Sequence, residues 1–467
     1  AAGRVDPDLP APPIDALSDE TRTTRMRQFL RTTRNALAVV ALSVVLTLGA
    51  AVALGGSPAD RIVAGRVEAV AVGQLGTSDR SAAIDALQVR LRAQPKDHRA
   101  WSSLALAYVE QARVTVDPTY YPKAERALRR AARLKPGDDL LLTGRATLAA
   151  ARHDFTAALS LADRALRANP YSAQAHAVRS DALTELGRYQ AALAAATRAD
   201  RLEPGDGTFA RLSYQAELRG DLGAARRLMR RAQLAAAAPE SYAFAAAHLG
   251  ELARAAGDED AAARHFAVAL DADPFSAAAR VGRARLAVAR GDIASAEGDY
   301  LAVVRRLALP EYVVELGELY QATGRPDQAA RQYAVAAAAA ALSRSNGVGT
   351  DLETALFEAD HGSPRHALLA ARAEWGRRHS IHTADALAWA LHAAGRSAEA
   401  LPYARRATEL GSRDARILFH RGVIEAAAGD SAQARRSLAA TLDIDAGIHP
   451  LRTEQARAVL AELGVQR

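Results

Sequence analysis

Histidine is the residue type in this chain best placed to do chemistry, because its spacing is uneven. Five of the twelve histidines, His361, His366, His379, His382 and His392, fall within 32 of 467 residues. A neutral imidazole is a common metal ligand, so the His361–His392 region is where a metal-handling accessory function would sit. The spacing speaks for a plainer state. No two of the five stand four apart on a helix, and no acid or cysteine lies at a matching interval. Surface histidines are the expectation, with no metal site assigned and metal handling kept as the alternative function. Asp271, Asp273, Asp443 and Asp445 are expected between repeats, where carboxylates cap the next helix or meet solvent. The phosphate-binding loop, HExxH, G-x-S-x-G and a post-strand G-x-G-x-x-G do not occur. With no cysteine there is neither a disulfide framework nor thiol chemistry. The expectation is a protein that is not an enzyme and uses no cofactor.

The elements that would position these residues are set by a ladder of ten alanines: Ala124, Ala158, Ala192, Ala225, Ala262, Ala296, Ala329, Ala367, Ala400 and Ala434. The gaps are 34, 34, 33, 37, 34, 33, 38, 33 and 34 residues, the length of a two-helix solenoid repeat. Twelve residues before each rung stands a small residue: Ala146, Ser180, Ser213, Gly250, Ala284, Gly317, Ala355, Ala388 and Gly422. The first repeat matches at Ala105 if seven extra residues are allowed. Five residues before the rungs stand His153, Gly187, Gly220, Gly257, Gly291, Gly324, Gly362, Gly395 and Gly429. A tight turn between antiparallel helices needs a positive φ, which glycine supplies. The small residues mark where two helix axes approach most closely. Pro136, Pro170, Pro204 and Pro274 follow their rungs by twelve residues and stop the second helix.

These positions resemble the tetratricopeptide repeat family. Trp101, Leu104, Ala105 and Tyr108 match the first helix of its pattern. Leu316, Gly317, Tyr320, Gly324, Ala329, Tyr333 and Ala336 match nearly a whole repeat, as do Leu183, Gly187, Tyr189, Ala192, Ala199 and Pro204. The resemblance runs from about residue 81 to the C-terminus. It implies an all-α superhelix of about ten repeats that binds a protein or peptide in its concave groove. Some members grip a C-terminal carboxylate with Asn and Lys on first helices. This chain has three Asn and three Lys, none so placed, so that clamp does not carry over.

Repeat register assigns thirteen residues to the concave face: Asp181, Glu185, Tyr214, Glu217, Glu251, Arg254, Arg285, Glu318, Gln321, His382, Asp385, Trp389 and His392. Trp389 is the sharpest candidate, since an exposed Trp in a groove is a frequent hot spot. Its competing role is packing between neighbouring helices. Residues 81–92 look like a second helix without its first, hence an N-terminal cap, and residues 451–463 look like a C-terminal one. The insertion at 114–121 carries Tyr120 and Tyr121, either a small contact site or a cover for the first helix pair. The two long gaps imply lengthened second helices with loops, and the later one, near residue 345, is a place where the superhelix could divide.

Residues 36–54, opening with Ala36 and closing with Leu54, carry no charge. As a helix they are about 28 Å long, close to the ~30 Å hydrocarbon core. A single transmembrane helix is expected. Arg22, Arg25, Arg27, Arg31 and Arg34 precede it, while Arg61 and Arg66 follow, which puts the N-terminus in the cytoplasm and the repeats outside it, on a cell-membrane protein. Ala51-Val52-Ala53 resembles a signal cleavage site, but some 35 residues lie ahead of the apolar run, so an uncleaved anchor is expected. Residues 1–35 read as a disordered tail and residues 55–80 as a flexible linker.

The formal charge is +7, and all but three of the 60 basic residues are Arg. They are scattered, often beside acids, rather than gathered on one face with aromatics between them. No nucleic-acid surface is expected. The function that remains is a membrane-tethered, non-catalytic scaffold for a protein partner.

Overall fold

The computed structural model describes residues 77–307, 309–444 and 449–465. Among these residues every regular element is an α-helix, and there are 22. α1 (Thr77–Ala93) stands alone at the start. Ten antiparallel pairs follow. They are α2 (His98–Thr115) with α3 (Tyr120–Leu134), α4 (Asp139–Ala151) with α5 (Phe155–Ala168), α6 (Ala173–Glu185) with α7 (Tyr189–Leu202), α8 (Asp206–Glu217) with α9 (Leu222–Ala235), and α10 (Pro239–Arg254) with α11 (Glu259–Ala272). Next come α12 (Ala277–Ala289) with α13 (Ile293–Val304), α14 (Pro310–Ala322) with α15 (Pro326–Ser345), α16 (Asp351–His361) with α17 (Pro364–Arg377), α18 (Ile381–Ala393) with α19 (Ser397–Ala407), and α20 (Ala415–Ala427) with α21 (Ser431–Ile444). α22 (Pro450–Val465) closes the array. The expected transmembrane stretch, tail and most of the linker lie outside the described residues. No described helix is long and apolar enough to cross a membrane.

Side chains cap ten of the described helices at their N-termini. Asp97, Asp138, Asp154, Ser172, Asp221, Asp258, Ser276, Asp292, Ser380 and Asp414 accept backbone N–H groups at N-caps. Seven glycines of the turn column hold positive φ, from 72° to 86°, and His153 does so without being glycine, at 63°. Gly362 departs, with φ −133°, because α16 ends there without the left-handed cap.

The ladder is the interior seam. Nine of its alanines are 0% exposed and Ala329 is 3% exposed. Ser180 and Ser213, opposite Ala192 and Ala225, donate their hydroxyls to those residues' carbonyls at 2.9 Å, so the close approach is hydrogen-bonded as well as packed. At Gly250 a Cβ would stand 2.5 Å from the Phe266 ring, which fills the space that glycine leaves. Size complementarity across the seam thus shifts from repeat to repeat while the backbone spacing holds.

The superhelix winds far enough for its turns to touch. The loop after α15 docks on the α4–α5 turn: Gly349 N–H donates to the Arg152 carbonyl at 3.0 Å, and its own carbonyl lies 2.6 Å from His153 Nδ1. Val348 is buried in the core of α2 to α4. Further along, Ile381 N–H donates to Tyr189 Oη at 2.7 Å. Tyr189, Tyr214, Leu218 and Ile381 form one buried cluster. Gly187 backs onto the His379 carbonyl and Gly220 onto that of Gly411. The partners are separated by 192 residues at Tyr189–Ile381 and 196 at His153–Gly349, between five and six repeats. The insertion between α2 and α3 takes part too. Val116 adopts φ 55° and is buried with Val281, Leu316 and their neighbours in α12 to α14.

Candidate functional site: an acid-lined lumen

Because one superhelical turn seats on the next, the concave face forms a deep lumen that stays partly open to solvent. Its cavity has a volume of about 640 Å³. First helices from α6 to α20 supply most of its wall, and His449, Arg452 and Thr453, at the start of α22, complete it. Ten carboxylates line it, Glu185, Glu217, Glu251, Glu311, Glu315, Glu318, Glu353, Glu358, Asp360 and Asp414. They face six arginines, Arg254, Arg285, Arg344, Arg413, Arg416 and Arg452. A chain with formal charge +7 therefore surrounds an acidic interior.

Eight of the thirteen residues assigned to the concave face line this cavity: Glu185, Tyr214, Glu217, Glu251, Arg254, Arg285, Glu318 and His382. Glu185 is buried in an ion pair with Arg378 from the other turn. Tyr214 Oη lies 3.0 Å from His382 Nε2, again across the turns. Glu217 meets His248 at 2.9 Å. Glu251 is clasped by Arg254 at 2.9 Å and Arg285 at 3.0 Å, and Arg285 also meets Glu315 at 2.6 Å. Burial pushes the Glu251 carboxyl up, but the two guanidiniums outweigh it and hold the pKa at about 2. Glu311 has no such clasp: burial first, then the neighbouring Glu315 charge, push its carboxyl up to about 8. It is therefore protonated at neutral pH.

The other five lie elsewhere. Asp181 is buried in a two-pronged pair with Arg211 at 2.8 Å. Gln321 is exposed and accepts from Tyr333 Oη at 2.9 Å. Asp385 is buried against His420 at 2.8 Å. His392 lies 3.0 Å from Ser397 Oγ. Trp389 does not stand exposed in the groove. It is 6% exposed, stacked between His420 and His392 with ring centroids 4.1 and 5.0 Å away, and it donates its indole N–H to Asp360 at 2.7 Å. An indole that finds stacking and a hydrogen-bond acceptor inside the repeat stack has no reason to face a ligand.

The five clustered histidines do not converge. His366 and His379 are exposed, His379 packing edge-on against Trp375. His361 is different: its side chain is 7% exposed, stacks on Tyr333 at 4.4 Å and lies 3.0 Å from a Glu318 oxygen. His449, at the start of α22, lies 2.8 Å from the other Glu318 oxygen.

Register reading missed Glu311 and Glu315, although they precede Glu318 by seven and three residues and share its face of α14. It also missed Glu353, Asp360, Asp414, Arg416 and His449, which reach the lumen only through the packing of successive repeats and turns. Glu353 is the most unusual of these. Both its carboxylate oxygens are shielded from solvent and accept no hydrogen bond among the described residues.

A tetratricopeptide repeat family model matches residues 143–207, 248–308 and 386–447. No curated protein matches the chain. Among solved structures, TTC0263, a thermophilic repeat protein of this kind from Thermus thermophilus, is 22% identical over 36% of this chain and 91% of its own, with a TM-score of 0.33. YrrB, described as having an unusual peptide-binding site, is 19% identical over 38% of this chain and 91% of its own, with a TM-score of 0.29. A human IFIT1 dimer with PPP-AAAA is 12% identical over 88% of this chain and 98% of its own, with a TM-score of 0.43. At these scores the similarities say nothing about a ligand.

Proposed function

We propose that this chain, a tetratricopeptide repeat protein, is a non-catalytic scaffold whose lumen takes a cationic segment of a protein partner, and that residues 36–54 tether it to a membrane with the repeats extracytoplasmic. One observation carries the choice of guest: the lumen is lined by ten carboxyl groups against six arginines, an excess that remains when the protonated Glu311 is left out. An Arg or Lys side chain from a guest supplies charge-assisted hydrogen bonds to the carboxylates of this wall. Tethering rests on the uncharged 19-residue run and on five arginines before it against two after. Confinement to a surface raises the effective concentration of a partner held at the same surface.

The test uses the full chain and fluorescent peptides of equal length, one Arg/Lys-rich and one Asp/Glu-rich. The basic peptide binds, its affinity falls as salt rises, and Glu358→Gln, at a lumen carboxylate open to solvent, weakens it about tenfold, the loss of one charged hydrogen bond. Equal binding of both peptides, or of neither, overturns the choice of guest. Protease digestion of intact cells examines the topology separately: repeats that stay protected until the membrane is opened refute an extracytoplasmic location.

A further inference from the structure

The Glu318 carboxylate is 5% exposed, lines the lumen, and sits between two imidazoles contributed by chain segments far apart in sequence. His361 comes from the last turn of α16 and His449 from the start of α22. A carboxylate oxygen of Glu318, one of Asp360 and a ring nitrogen of His361 lie within 4.8 Å of one another. Arg452 also approaches Glu318, at 3.9 Å. Two of these groups are held from behind. Trp389 donates its indole N–H to one oxygen of Asp360 at 2.7 Å, which orients the carboxylate. Tyr333 stacks on the His361 ring at 4.4 Å. Groups oriented this way are what distinguishes a metal site from a loose cluster of acids.

We propose that this part of the lumen binds one borderline divalent cation, of the Zn²⁺, Ni²⁺ or Co²⁺ class, through Glu318, Asp360 and His361, with His449 supplying a fourth ligand. Mixed imidazole and carboxylate donors select this class over Ca²⁺ or Mg²⁺, which take oxygen alone. Metal–ligand distances of about 2.0–2.2 Å place tetrahedral ligand atoms roughly 3.5 Å apart. The Glu318–His361 separation of 3.0 Å is already near that spacing, whereas His449 meets the other Glu318 oxygen, at 2.8 Å, so the exposed Asp360 carboxylate and the His449 ring both move for four ligands to converge. The ion replaces the protons that now bridge carboxylate and imidazole, and its charge is favoured by the acidic wall. Binding ties α22 to α14 and α16, so it also fixes the C-terminal cap of the solenoid. Four of the five clustered histidines have no part in it.

The site is tested on the full chain, without a histidine tag and without any peptide, so its failure is distinct from failure of the peptide-binding reading. Zn²⁺ is titrated against a chromophoric chelator, with tryptophan fluorescence recorded, because Trp389 bonds a proposed ligand. The expected result is one equivalent bound, with a change in tryptophan emission that saturates at the same point. His361→Gln and Glu318→Gln each weaken binding tenfold or more, Trp389→Phe weakens it about tenfold through Asp360, and His366→Gln leaves it unchanged. Co²⁺ bound to the unaltered chain gives ligand-field absorption in the visible that is lost in His361→Gln, a readout that stands if Glu318→Gln does not fold. Absence of saturable binding, or binding that survives His361→Gln but is lost in His366→Gln, overturns the proposal.

Discussion

Glu185 and Arg378 are separated by 193 residues in sequence and form an ion pair buried where one superhelical turn meets the next. Arg378 also pairs with Glu374 on its own helix and lies 4.8 Å from the Phe155 ring, so its guanidinium has charge partners and an aromatic face. Removing one member of such a pair strands a buried charge, at a cost of about 3–5 kcal/mol. Arg378→Met is expected to lower stability by that amount, measured by urea unfolding followed by circular dichroism. Glu185→Leu combined with Arg378→Met is expected to cost less than the two single changes summed. Strict additivity would mean that the two groups do not interact.

Gly187 and Gly291 separate two reasons for the same residue. Both sit at the turn position with φ 75°. A Cβ on Gly291 meets nothing within 4 Å, whereas one on Gly187 overlaps the His379 carbonyl of the neighbouring turn. Gly291→Ala is expected to cost about 1–2 kcal/mol, the strain of a left-handed alanine. Gly187→Ala is expected to cost more and to raise proteolytic cleavage of the α17–α18 link. Equal losses at the two positions would show that the turns are not in contact there.

Trp389 is a packing residue, and its removal reads as such. Trp389→Ala is expected to destabilise by about 3–5 kcal/mol, the range for an aromatic deleted from a core. Thermal melting measures this directly. A variant with unaltered melting but lost partner binding would return Trp389 to the groove surface.

These residues show what the sequence could and could not reveal. The alanine ladder, the small column opposite it and the turn glycines are local requirements of a helix pair, repeated at fixed spacing, so the repeat architecture was legible at single residues. The first-helix face was legible too, and it delivered Glu217, Glu251, Arg285 and Glu318 to the lumen. Gly362 and Trp389 mark the limit of that reading: a column position does not force a left-handed turn, and a residue on the right face can still be covered by the next repeat. The seating of one turn on another depends on small rotations accumulated over five to six repeats. No local pattern encodes that sum, so Asp414 and His449 could not be assigned to the lumen, nor Arg378 and Gly349 to the seam between turns, and the insertion holding Val116 read as a small contact site or a local cover, not as a contact between turns.

Glu311 gives the lumen a measurable pH response. Its carboxyl is pushed up to about 8 by burial and by Glu315, only partly offset by Arg285 and by Arg416. In the unfolded chain it titrates near the usual carboxylate value, about 4.3. Between those two values the folded protein holds a proton that the unfolded chain has lost, so this group makes stability fall as pH rises through the window. Glu311→Gln removes the titration. The variant and the unaltered protein are expected to match within about 0.5 kcal/mol at pH 4, where Glu311 is neutral in both states. By pH 8.5 the variant is expected to be more stable by at least about 1 kcal/mol. Unfolding curves that stay parallel across the range would show that Glu311 ionises normally. The same proton reports on the guest: a cationic side chain beside Glu311 favours the carboxylate, so binding of a basic peptide at pH 7 releases protons, and calorimetry in buffers of different ionisation enthalpy measures that release. The release disappears in Glu311→Gln if the guest sits against α14, and persists if the guest lies elsewhere.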